Sequence, residues 1–518
     1  MDTPHSIPGV QPPEALPIVD QHSTENNQLN QSSSSTVTIR STSNGRLLLT
    51  IGSGLISAFL FIRVFAIEPF GVPTGSMAPA LIGNHREGAC PRCDFPVRVG
   101  FPPAGVSPES HFATVVCPNC GQQFSMVNQQ DLNGDRLLVD KNVFNLRKPR
   151  RWEMAVFHCP DSDPKELGKP YVKRVVGLPG ETIVIKDGEV YANGELLRKG
   201  YAEVREMRIL DFDMNYVPKQ MGWSNRWLID EHDPRLPNTS RLLPCPADNK
   251  TLQGSILRLN ADQQVTTTAT YRNWNLDHQQ EEPIRSWNSY DGLPRSFGKF
   301  PAVHEFSFTS ELEVTRVTPE ASIIFRLTDG VLTVSARVVL DSQPLAAVSF
   351  EVDGNPCPLP KAKFQFIPGR KYSIEYLFVD RRVSFIVDGK PIGASLDLPS
   401  REKSQEVSRP LSISVQGCQV VFSNIKLYRD VYYTQFGANG TLPPGNPVTL
   451  GPGQYYLLGD NSANSQDSRK WAIPGVPETG FIGKPFLIHQ PLRAARVTIG
   501  GRERVIQTID WTRLRWLH

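Results

Sequence analysis

Neither charge dominates this chain: 55 Lys+Arg stand against 52 Asp+Glu, a formal net charge of +3. Wrapping a polyanion takes a basic surplus, so nucleic acid is not an expected partner. Cysteine is scarce, with eight in 518 residues, far below the density of a disulfide-stapled scaffold. Low hydrophobicity is absent too: 39% hydrophobic and 21% charged residues exclude a mostly disordered chain. The 44 Pro and 39 Gly punctuate the sequence too often for an all-helical protein, and the expected class is mainly β. The length allows roughly three domains.

Long apolar runs are missing except for one. Residues 1–45 are rich in Ser, Thr, Asn and Gln, with neither the basic opening nor the apolar stretch of a cleavable targeting segment. They read as a disordered tail, unable to bury enough surface to offset ordering entropy. Leu47–Ile67 then runs LLLTIGSGLISAFLFIRVFAI, about the length that crosses a hydrocarbon core. A single transmembrane helix is expected over 46–67, with Arg63 snorkelling to the interface. A buried core helix is the alternative, but soluble helices rarely run this long without a polar face. Arg40 and Arg46 on one side and Arg63 and Arg86 on the other leave orientation undecided.

Three segments carry chemistry. Directly after the apolar run comes Glu68-Pro69-Phe70-Gly71-Val72-Pro73-Thr74-Gly75-Ser76-Met77-Ala78-Pro79, in which Pro73 and Pro79 stiffen the chain and Gly75 is expected to permit an unusual turn beside Ser76. A serine so held is a candidate nucleophile that needs a base. Tyr171-Val172-Lys173-Arg174-Val175-Val176 puts Lys173 in a β-prone stretch, where burial would lower its pKa and free the amine to accept a proton. Arg174 cannot act so, since arginine stays protonated. Gly459-Asp460-Asn461-Ser462-Ala463-Asn464-Ser465-Gln466-Asp467-Ser468-Arg469 is a polar loop in which Asp467 and Arg469 can pair and Ser465 can hydrogen-bond an amine. Taken singly, each segment also reads as a solvated turn or strand face.

The order of these segments, with Gly134-Asp135-Arg136-Leu137-Leu138-Val139-Asp140-Lys141 between the first two, closely resembles the signature boxes of bacterial type I signal peptidase. The resemblance covers roughly 61–82, 134–195 and 451–491, under half of the chain. It implies Ser76 as nucleophile and Lys173 as general base, a dyad without histidine. It implies Thr74 as an oxyanion-hole hydroxyl acting with the Ser76 backbone N–H, and Ser465 as the group orienting the amine. Arg174, Asp467, Arg469, Asp135 and Arg136 would be structural support, and Met77 would line the substrate cleft. The implied substrates are preprotein signal peptides with small residues before the cut, processed without a catalytic cofactor. The implied setting is a single-pass protein of the cytoplasmic (inner) membrane with its catalytic body extracytoplasmic. One departure is Ser462-Ala463, where the family often has Arg-Asp.

Cys90-Pro91-Arg92-Cys93 and Cys117-Pro118-Asn119-Cys120 resemble a zinc ribbon inserted at 88–125. Two such turns can deliver four thiolates to a tetrahedron with no open position. Two disulfides, favoured by an oxidising compartment, and free thiols are the alternatives. The remaining cysteines, Cys159, Cys245, Cys357 and Cys418, show no pattern, and His111 reads as a surface residue.

The catalytic body is expected over 68–205 and 441–518, split by an insertion at 206–440. Ile323–Leu327 and Val331–Val339 flank Asp329-Gly330. Tyr372–Val379 meets Val383–Val387 across Asp380-Arg381-Arg382, and Leu411–Val415 meets Val420–Leu427 across Gln416-Gly417. Such short strands at hairpin spacing predict an antiparallel sandwich, and the stretches around Phe385 and Phe422 resemble a concanavalin A-like jelly roll. Trp223, Trp227, Trp274 and Trp287 offer either sugar-stacking faces or core packing. No E-x-D-x-x-E run provides glycosidase carboxylates, and the sandwich's partner is unassigned. A second reading of the whole chain is a membrane-tethered, catalytically inactive carbohydrate- or protein-binding scaffold using the sandwich.

Overall fold

The computed structural model describes residues 43–103, 105–218, 226–232, 241–244, 256–275, 278–292, 300–340, 345–401, 404–434, 446–499 and 502–517. The expected tail up to residue 42, Trp223 and Cys245 lie outside them. A helix, Ser43–Phe65, occupies the apolar run, close to the expected bounds of 46–67. Among the described residues, however, no helix is long and apolar enough to cross a membrane. The helix is therefore established and the span is not; the side chains of residues 58–65 are outside the described set. The chain divides into two compact units, 1–59 and 60–518, so the insertion and the peptidase-like body form one unit.

The body is a mainly antiparallel sheet ordered Ile67–Gly71, Arg136–Asp140, Phe481–Gln490, Met154–His158, Pro170–Gly177, Gln454–Leu458, Val476–Pro477. Its central strands are buried on both faces: Met154–Phe157 and Lys173–Gly177 are wholly buried, the two cations of the second strand included. Ala155 lies opposite Lys173, and Arg174 opposite Leu458. These pairings place the lysine strand directly beside the strand that leads into the Gly459–Arg469 loop.

The cysteine module hangs from the sheet Pro96–Gly100, His85–Ala89, Asp131–Leu132 and the small ladder Val115–Val116 with Gln123–Phe124. Its four cysteines form a buried core with Val97, Val99, Phe112, Val115 and Met126.

The insertion is a β-sandwich around an aromatic and β-branched core. Two expected hairpins are present. Phe306–Thr328 and Thr333–Leu340 pair from Thr328 opposite Thr333, with Gly330 at φ +89. Lys371–Val379 and Arg382–Val387 join through Asp380 and Arg381 at φ +49 and +57, the left-handed pair that matches strand twist in a two-residue turn. The third expected hairpin is absent. Leu411–Arg429 is one strand that runs through Gln416-Gly417. Gly417, at φ +65, sits where the register against Phe306–Thr328 shifts between Val317 and Ser322, so the glycine bends two long strands together and does not reverse either. Trp227 is a core residue, whereas Trp274 and Trp287 are half-buried.

Phe325 anchors the sandwich, with ring centroids of Phe385, Phe308 and Phe422 at 5.5, 5.9 and 6.0 Å. Phe325→Ala is expected to cost about 3–5 kcal/mol, read as a lowered denaturation midpoint. An unchanged midpoint would remove this ring from the core.

Candidate active site

Ser76 sits on the turned segment after Ile67–Gly71, and Lys173 lies in the middle of Pro170–Gly177. The Lys173 Nζ donates to Ser76 Oγ at 2.7 Å and to the Val172 carbonyl at 3.0 Å. Lys173 is 3% exposed and Ser76 7%. Burial lowers the amine's pKa from 10.5 to about 8, opposed by the negative charge of Asp467. The two adjacent cations of this strand point to opposite faces. Arg174 meets Asp460 through two bonds of 2.8 and 2.7 Å, and it also donates to Glu206 at 3.0 Å and the Trp152 carbonyl at 2.6 Å.

Asp467 and Arg469 form the expected pair, bidentate at 2.9 and 2.6 Å and fully enclosed. Ser462, at the position that departs from the family pattern, is absorbed into this network. Its Oγ accepts from Arg469 Nη1 at 2.6 Å and from the Thr434 N–H at 2.8 Å. Asp135 accepts from the Ile82 N–H at 2.8 Å and from Arg513 at 2.6 Å, tying the segment that carries Ser76 to the strand that starts at Arg136.

Other expectations change. Met77 is fully buried among Val72, Leu81, Leu137 and Met154 and does not line the cleft; an unbranched apolar side chain next to Ser76 turns into the core. Arg136 is exposed, outside the buried network. Ser465 is fully buried, but its Oγ makes no hydrogen bond, to Lys173 or to any other described residue. Gly75 is not left-handed. A Cβ there would collide with the Tyr290 ring, so the glycine permits close approach.

That ring belongs to residues sequence reasoning missed. Ser289–Asp291 form a single 3₁₀ turn of the insertion. From it the Tyr290 hydroxyl donates to the Asn84 carbonyl at 3.1 Å, and Asn288 donates to the Ala78 carbonyl at 3.2 Å. Asp460 and Glu206 were also missed. The only available signal for Asp460 was its place in the Gly-Asp-Asn box; Glu206 carries none.

Beside the dyad opens a cleft of about 660 Å³ lined by Phe70, Val72, Thr74, Leu137, Val156 and Tyr171 among others. Thr74 is exposed on its wall. The arrangement offers a poised hydroxyl, a base of lowered pKa and an adjoining apolar groove, the parts needed for acyl transfer to serine.

Known proteins bear on this geometry. The chain matches 82 residues of a signal peptidase I from Leptolyngbya laminosa at 37% identity, 15% of this chain and 40% of that one. It matches 139 residues of a Pseudomonas aeruginosa signal peptidase I at 30% identity, 27% and 34% of the two chains. The chain thus spans between about a third and two fifths of the length of these curated relatives. Among solved structures, the carbohydrate recognition domain of Emp47p is 10% identical, with a TM-score of 0.23 over 40% of this chain and 96% of that one; so low a score supports no statement about the insertion's fold or ligand. The family model for signal peptidase, peptidase S26, matches residues 114–264 and 381–489, taking in Lys173 and the Gly459–Arg469 loop, while Ser76 precedes the matched segments. With half of its length matched by that model, the chain belongs to the S26 signal peptidase family.

Proposed function

We propose that the chain is a membrane-anchored serine endopeptidase that removes N-terminal signal peptides from exported preproteins through a Ser–Lys dyad. The observation that carries this reading is the 2.7 Å contact between the Lys173 amine and the Ser76 hydroxyl, both buried. With Lys173 neutral, the contact reverses: the Ser76 O–H donates to the amine lone pair. The amine takes this proton as Oγ attacks the scissile carbonyl carbon. The carbonyl oxygen becomes an oxyanion, met by the Thr74 hydroxyl and the Ser76 backbone N–H. Collapse expels the new amino terminus, which takes the proton from Lys173, and leaves an ester on Ser76. A water, deprotonated by the same amine, hydrolyses that ester. The sequence uses no cofactor.

The substrate in this reading carries small, Ala-x-Ala-like residues before the cut, and the largely apolar lining of the cleft that contains Ser76 supports it. In this reading the helix Ser43–Phe65 is the anchor of a single-pass protein in the cytoplasmic membrane, with the catalytic body on the extracytoplasmic side. Ser465, whose buried Oγ has no hydrogen-bond partner among the described residues, is in this reading the group that orients the Lys173 amine.

Two measurements test the reading. Ser76→Ala and Lys173→Ala are each expected to lower preprotein processing in membranes by at least about 10³-fold. Normal processing by both variants would remove the assignment of the chemistry to this dyad. The second is the pH dependence of kcat/KM. The free amine is the active form, so the rate should rise with pH and level off above an apparent pKa of about 8. A flat profile between pH 6 and 9 would mean that Lys173 is not the base.

A further inference from the structure

The cysteine module plays no part in that chemistry, yet it is built for a ligand. Its two turns are copies of one another. The Cys90 N–H donates to the Phe95 carbonyl and the Asp94 N–H to the Cys90 carbonyl, both at 2.9 Å. The Cys117 N–H donates to the Gln122 carbonyl and the Gly121 N–H to the Cys117 carbonyl, again at 2.9 Å. Each turn closes on a left-handed residue at the same offset, Asp94 at φ +60 and Gly121 at φ +78. Both turns thus present their thiols alike.

The four Sγ atoms lie within 4.8 Å of one another, and none of these four cysteines is more than 2% exposed. The Cys90–Cys120 and Cys93–Cys117 separations are 3.6 and 3.7 Å. A disulfide brings sulfurs to about 2.05 Å. A tetrahedral zinc with Zn–S bonds of about 2.3 Å sets them about 3.8 Å apart. We propose that Cys90, Cys93, Cys117 and Cys120 bind one Zn²⁺ as a closed, structural site. Loading releases the thiol protons, leaving four thiolates on the metal and no position for water. The Asn119 amide, which donates to Cys93 Sγ at 3.9 Å, also joins the site to the insertion through the Tyr216 carbonyl and the Asp213 N–H, both at 2.8 Å.

The test uses the full chain, purified without strong chelator and analysed for metal and for thiols reactive to an alkylating reagent. One zinc per chain is expected, with these four cysteines protected until a chelator is added. Cobalt(II) replacement should give the intense visible bands of a tetrahedral thiolate site, and Cys117→Ser with Cys120→Ser should abolish both metal and bands. A metal-free chain, whether its thiols are free or paired as disulfides, or a chain loaded with iron, overturns the proposal.

A separate observation concerns Asp291. Its Oδ1 accepts from Asn461 Nδ2 at 2.7 Å and from Asn464 Nδ2 at 2.9 Å. Asn461 in turn donates its side chain to the Gly75 carbonyl and its backbone N–H to the Ser76 carbonyl, both at 3.0 Å. We infer that Asp291 is a positioning residue, through which the insertion fixes the peptide that carries Ser76. This rests on the dyad reading above, so Ser76→Ala is assayed alongside. Asp291→Ala should lower kcat roughly tenfold with KM nearly unchanged and the melting temperature kept, while Asp291→Asn, which retains an acceptor, restores most of the rate. A wild-type kcat for Asp291→Ala beside an inactive Ser76→Ala overturns the inference alone, as does an Asn variant no better than the Ala one. An active Ser76→Ala removes the dyad reading and this inference with it.

Discussion

A primary amine enclosed by protein, with a serine hydroxyl as its nearest side-chain partner, is the constraint on which the rest of this structure turns. Removing an ammonium from water is costly, and the amine responds by giving up its proton more easily. Its neighbour on the strand faces the same desolvation with no such exit, because a guanidinium cannot deprotonate. The fold treats the two cations oppositely. Arg174 receives Asp460 in bidentate contact and Glu206 besides. Lys173 hydrogen-bonds no carboxylate among the described residues; Asp467, whose charge acts on it, spends both oxygens on Arg469. The loop Gly459–Arg469 thereby does two things: Asp460 neutralises one face of the lysine strand, and the Asp467–Arg469 pair keeps a full negative charge from settling on the other.

How much of this could be read beforehand depends on where the information lies. Box order located Ser76, Lys173 and the Asp467–Arg469 pair, because spacing and residue type along one segment define them. The partners of Arg174 could not be found that way. Glu206 comes from the short helix Tyr201–Met207, and nothing local distinguishes it from a solvated acid. Gly75 looked like a turn residue and is a contact residue, because the side chain it accommodates, Tyr290, is contributed by a distant insertion. The family resemblance points Met77 at the cleft, whereas packing against Val72, Leu81, Leu137 and Met154 buries it.

The same division holds for the fold. Asp329-Gly330 and Asp380-Arg381 made legible hairpins because left-handed residues at a two- to four-residue loop leave the chain little choice. Gln416-Gly417 carries a similar signal and ends as a bend in a 19-residue strand. The difference lies in Phe306–Thr328, which offers a partner along both halves and shifts register opposite the glycine. A glycine in a strand marks a turn or a bulge, and only the pairing strand decides between them.

Burial alone does not make a lysine into a base, and the chain contains its own control. Lys199 is as enclosed as Lys173, yet its amine meets Asp380 at 2.6 Å and Asp430 at 2.8 Å, and these carboxylates hold its pKa well above the ordinary value. That lysine fastens the segment leaving the peptidase body to two acids of the insertion, and its charge is the fastening. At Lys173 the same side chain, equally deprived of water, faces a hydroxyl and a carbonyl. The contrast isolates what the proposed dyad requires: a carboxylate within contact of Lys173 would lock the proton in place and leave Ser76 without a base.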